Sequence, residues 1–292
     1  MSIKIENTQV FGWEGAIRGC RNPMNSWEKS DSHSSINYPM MNLRDIDGKC
    51  DEDYNFDEGL RKVGNPNEEL DWYKLSGALR SYFEKLSINN SDSICYSGIC
   101  MGPADHKLLM NLCNGGTEEA KWRRMVHVQM DVTAPFYWWK EFETYKVGTV
   151  SNSCSTMHKI QAKEFTPDDF SCEHLMTYTD KGVFPFLDVG SNQNQDGRMF
   201  SMDVLELAIT ALNHYREKFL ETKDKKYWWQ MIQLLPSSYN QRRTIDLNYE
   251  VLAAQYRQRK DHKLDEWRQY CDWIKSLPYS EFITMEEKKE DR

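Results

Sequence analysis

"MVHVQMDVTAPFYWWKEFETY", residues 125–145, decides the fold. Val126, Val128, Met130 and Val132 alternate with His127, Gln129, Asp131 and Thr133. A two-residue apolar period is that of a strand with one buried face. Pro135 lacks the donor a ladder needs and suits the first turn of a helix. The aromatic run after it is therefore expected to be helical, and Gly148 permits that helix to end. The next stretch, "YKVGTVSNSCSTMHKI" at 145–160, reads as a polar loop after strand and helix.

Upstream, "IKIENTQVFG" alternates like a strand. "NEELDWYKLSGALRSYFEKL" (67–86) has apolar residues near helical spacing, and "DGKCDEDYNFDEG" (47–59) is an acidic, turn-rich loop. Downstream, a second polar loop, "SNQNQDG" (191–197), precedes "RMFSMDVLELAITALNHYREKFLE". Ser201 and Asp203 are placed to cap that helix, and Met202, Leu205, Ala208, Ile209 and Leu212 form its apolar stripe. Two further helices are expected after Pro236: "IDLNYEVLAAQYRQR", counting Ile245 and Leu247 on its apolar face, and "HKLDEWRQYCDWIKSL". The sum is an α+β fold, a central mostly antiparallel sheet wrapped by helices. Residues 1–280 are expected to form a single domain, with 281–292 a charged tail.

The 292 residues are 39% hydrophobic and 13% aromatic, enough to bury a sizeable core. A net charge of −8 opposes wrapping duplex nucleic acid, which needs phosphate-neutralising cations. Local arginine clusters still suit small anions. No apolar run approaches a membrane span of roughly 18 residues, and "MSIKIENTQV" lacks the basic-then-apolar order of a secretory leader. A cytoplasmic protein with reduced thiols is expected. Eight cysteines occur without a CxxC pair, so buried thiols are expected rather than zinc. HExxH, GxSxG and the phosphate-loop pattern are absent.

Thr149, Ser151, Asn152, Ser153, Ser155 and Thr156 gather donors and acceptors in a short run, flanked by Lys146 and Lys159. Such a run is either a solvated turn-rich loop or a surface holding a pyrimidine edge and phosphate oxygens. Basic clusters lie at Arg18 and Arg21, at Arg242 and Arg243, and from Arg257 to Lys263. Cys154 has no base beside it in the sequence to activate it. Trp138 and Trp139 read most simply as core or subunit-contact residues, as do Trp228 and Trp229.

The stretch from Val126 to Ile160 resembles the signature region of the flavin-dependent thymidylate synthases, whose motif is R-H-R-x-x-S-x-N-E-x-S-x-R-Y. Asn152 and Ser155 fall on the motif Asn and second Ser. The Arg-His-Arg triplet is here Tyr145-Lys146-Val147, the first Ser is Val150, the Glu is Ser153, and the final Arg-Tyr is Met157-His158. "LLPSSYNQRRTIDLNYEVLAAQYRQRKDHKLDEW" adds Leu235-Pro236, Leu247, Asn248, Arg259 and Glu266 as matching pieces. The resemblance implies a homotetramer binding a deoxyuridine-type nucleotide, with one-carbon transfer to C5 from a folate by way of reduced FAD and no protein nucleophile. It implies Asn152, Ser153, Ser155 and Arg259 as nucleotide contacts. Lys146, Arg18 and Arg21 are then the cations left to compensate at the flavin. Each lost arginine contact costs about 1.5–3 kcal/mol. The alternative is a nucleotide-binding protein on the same fold without the chemistry.

Overall fold

A computed structural model describes residues 3–34, 95–96, 99–182, 185–188 and 198–286. The elements run β1 (Lys4–Phe11), α1 (Trp13–Arg21), β2 (His33–Ser34), β3 (Cys95–Tyr96), β4 (Ile99–Cys100), α2 (Pro103–Asn114), β5 (His127–Pro135), α3 (Phe136–Phe142), β6 (Thr149–Ser153) and α4 (Thr156–Lys159). Then follow β7 (Leu187–Asp188), β8 (Arg198–Met199), α5 (Ser201–Thr222), α6 (Lys225–Leu234), β9 (Asn240–Asn248), α7 (Tyr249–Arg259), α8 (Asp265–Ser276) and α9 (Glu281–Thr284). Short 3-10 turns lie between several of them.

Among the described residues the main sheet has five strands, ordered β3-β1-β5-β9-β6. It is antiparallel except where β1 meets β3. The fold is therefore α+β with a mostly antiparallel sheet, as expected. β5 is central because its alternation is clean: Val128, Met130, Val132 and Ala134 are buried on one face. Ile245 and Leu247 of β9 extend that buried face. Gln129, Asp131 and Thr133 lie opposite Asp246, Thr244 and Arg242, forming a polar face.

Aromatics fill the core behind the sheet. Trp138 sits 4.9 Å from the rings of both Trp139 and Trp267 and 5.0 Å from Phe142, all of them buried. The turn from β1 into α1 needs Gly12, at φ +98°, where an added Cβ would lie 2.0 Å from the Met125 carbonyl oxygen. A second cluster joins Leu205, Ile209 and Leu212 of α5 to Met231 of α6 and to Ile160, Phe165 and Phe170. The stripe expected on α5 is thus present, and Asp203 caps it by accepting from the Phe200 N–H at 2.6 Å.

Two expectations are corrected. Residues 149–153 are a strand rather than a loop: β6 pairs antiparallel with β9 and forms the sheet edge, solvated on both faces, so no apolar period marks it. Ile245 and Leu247 belong to β9 rather than to a helix, and the helix opens only at Tyr249. Asn248 sets that boundary, its side chain accepting from the Val251 N–H at 3.1 Å. Beyond residue 280, Phe282 and Ile283 of α9 are buried in the core. The helix expected at 67–86 and the loops at 47–59 and 191–197 lie outside the described residues. No described helix is long and apolar enough to cross a membrane.

Candidate functional site

β5 and β6 end where β9 begins, and the chain after β6 turns over this corner of the sheet. The Cys154 N–H continues the ladder one step, donating to the Arg242 carbonyl at 3.0 Å. Ser155 then caps α4 by accepting from the His158 N–H at 3.2 Å. Gln241, nearly buried, fixes the turn: its Nε2 donates to the Cys154 carbonyl at 2.9 Å and to Thr156 Oγ1 at 3.1 Å. The result is a cavity of about 390 Å³, within the usual small-ligand range. Thr133, Cys154, Ser155, Thr156 and Tyr239 supply polar hydrogens, and Lys4, Lys159, Lys163 and Arg242 supply positive charge against Asp168 and Asp169.

Three of those cations have carboxylate neighbours. Arg242 Nη2 lies 2.7 Å from Asp131, Lys4 lies 2.7 Å from Glu6, and Lys163 bonds Asp169. Lys159 has no carboxylate partner among the described residues. Hydrogen bonds from Thr244, then Asn7, then Arg242 hold the Asp131 carboxyl down at about 2. Asp131 is thus ionised at neutral pH, and Arg242 is anchored beside the cavity. Burial and nearby Asp169 push the Tyr239 phenol up, keeping it a neutral donor.

Ser155 lines this cavity. Asn152 and Ser153 are exposed on β6 immediately before it, opposite Thr244 and Arg243. Arg259 goes elsewhere: it bonds Glu141 at 2.6 Å and the Tyr145 hydroxyl at 2.9 Å and lies 4.7 Å from the Trp267 ring centroid. None of these three partners lines the cavity. Glu266 is buried and accepts from the Tyr137 hydroxyl. Arg21 is buried against Asp105 at 2.6 Å, while Arg18 is exposed on α1 and Lys146 in the turn before β6. Sequence reasoning missed Lys4, Lys163 and Gln241. The pairing of Lys4 and Arg242 with Thr133 was recoverable only from strand register, which needs β9 read as a strand. Gln241 carried no local signal.

No family model and no curated protein matches the chain. Two solved structures of flavin-dependent thymidylate synthase from Helicobacter pylori, both with FAD and dUMP, align over 72% of it. They are 14% and 13% identical, with TM-scores of 0.43 and 0.44, and 91% and 92% of their own chains are covered.

Proposed function

We propose that the chain binds a pyrimidine nucleoside monophosphate in the cavity beside Ser155. The observation that carries this is the lining: hydroxyls interleaved with four cations, of which Lys159 has no carboxylate partner among the described residues, in a space of about 390 Å³. A phosphate takes charge-assisted bonds from lysine and arginine, and a ribose takes bonds from hydroxyls. The resemblance in residues 145–158 supports the choice of a pyrimidine.

In this reading Lys159 and Arg242 meet the phosphate, and Ser155 and Thr156 orient the sugar. The flavin implied by the resemblance does not fit the residues as they stand. Arg21 is consumed by Asp105, Arg18 and Lys146 lie outside the cavity lining, and the three do not assemble around it. Binding, rather than redox transfer, is therefore the activity the geometry supports.

Calorimetric titration tests the reading. Deoxyuridine monophosphate is expected to bind with one-to-one stoichiometry, and deoxyuridine at least tenfold more weakly, because a charge-assisted contact is worth about 1.5–3 kcal/mol. Lys159→Ala should weaken the nucleotide by about tenfold or more, whereas Arg259→Ala should leave affinity unchanged provided the variant folds. Equal affinity for nucleotide and nucleoside, or no binding of either, refutes the proposal.

A further inference from the structure

We propose that a second cavity, of about 380 Å³, is a ligand site for a planar aromatic anion. It lies on the other side of Thr156, which lines both cavities. Its walls are apolar, formed by Phe136, Met157, Ile232 and Leu235, and its charges come from Arg243, Lys140 and Glu143. The site follows from how Arg243 is held. Its guanidinium stacks 4.3 Å from the centroid of the Trp139 ring. Its Nε donates to Gln241 Oε1 at 2.9 Å and its Nη1 to Glu143 Oε1 at 2.7 Å.

The platform beneath is rigid as well. Trp139 is buried, and its indole N–H donates to the Gln241 carbonyl at 3.0 Å. A guanidinium fixed by an indole, an amide and a carboxylate loses little freedom when a ligand arrives. The guanidinium lines the cavity with its side chain 12% exposed, and a flat ring entering there would meet it as aromatics meet arginine. Glu143 offsets one positive charge, and Lys140 has no carboxylate partner among the described residues. The cavity therefore favours an occupant with a flat, apolar body and a negative group. A space of this size accepts one or two fused rings.

The two cavities are mechanically joined. Gln241 donates to the wall of the first and accepts from the arginine of the second. The second site nevertheless stands on its own residues and does not depend on a nucleotide occupying the first.

The test is equilibrium titration of the full chain with quinoline-2-carboxylate. Quinoline serves as the uncharged control and cyclohexanecarboxylate as the control without a flat ring. Saturable one-to-one binding is expected, with both controls weaker by about tenfold or more. Arg243→Gln should weaken the probe by a similar factor. Met157→Glu supplies a variant that does not threaten folding, because Met157 is 50% exposed. The added carboxylate at the wall should repel the probe and weaken it several-fold. Lys159→Ala, in the first cavity only, should change nothing. The inference is overturned if the probe does not saturate, or if quinoline binds as well as its carboxylate. It is also overturned if Met157→Glu keeps wild-type affinity, or if Lys159→Ala abolishes binding and so places the probe in the nucleotide cavity.

Discussion

Asp131 shows what a single residue contributes to this corner of the sheet. It collects three donors from two neighbouring strands: Asn7 of β1 and Thr244 and Arg242 of β9. Its carboxyl is held below its ordinary 3.8, at about 2. A group whose folded pKa is depressed adds stability that is present above its unfolded pKa and is lost as pH falls through the folded one. The window is thus roughly pH 4 to pH 2. Asp131→Asn is expected to cost about 1 kcal/mol at pH 7, modest because the pair is open to solvent on one side. Acid unfolding curves should show the deficit shrinking between pH 4 and pH 2, and an unchanged deficit across that range contradicts the assignment. Ser155 and Lys159 were legible in the sequence as a hydroxyl run beside a cation. Arg259 was not legible as a packing residue, because its partners Glu141 and Tyr145 are over a hundred positions away in sequence and meet it only in the fold.

At the scale of elements, the boundary at Asn248 is the instructive one. "TIDLNYEVL" has apolar residues that suit either a strand running into a helix or one continuous helix. The side chain of Asn248 resolves it by capping the backbone of Val251, so Ile245 and Leu247 alternate in β9 while Leu252 and Tyr256 follow the helical period. Asn248→Ala should cost about 1 kcal/mol, read as a lower urea midpoint with an unchanged slope. An unchanged midpoint would mean that the cap does not set the boundary. β5 was legible because one of its faces is buried, which imposes alternation. β6 was hidden because an edge strand solvated on both faces has no such constraint, and its ladder to β9 is made entirely by the backbone.

Across the whole molecule, burial explains what could be read. The α+β class and the aromatic core follow from strong periods: Val128 to Ala134 on β5, Leu205 to Leu212 on α5, and Trp267 to Ile274 on α8. The candidate site does not follow from periodicity, because it is assembled from the ends of three strands and a four-residue helix. Ser155, which the signature resemblance picks out, lines the cavity, whereas Arg259, which it offers to the phosphate, bonds Glu141. The net charge of −8 makes the cavity's cation-rich lining more distinctive, since it stands against the average of the chain.

Hydrogen exchange with and without deoxyuridine monophosphate tests the central claim most directly. The account predicts slowed exchange at residues 154–160 and 240–242, with no change around Glu141, Tyr145 and Arg259. Protection centred on Glu141, Tyr145 and Arg259, with 154–160 unaffected, would contradict it and return the phosphate to the arginine.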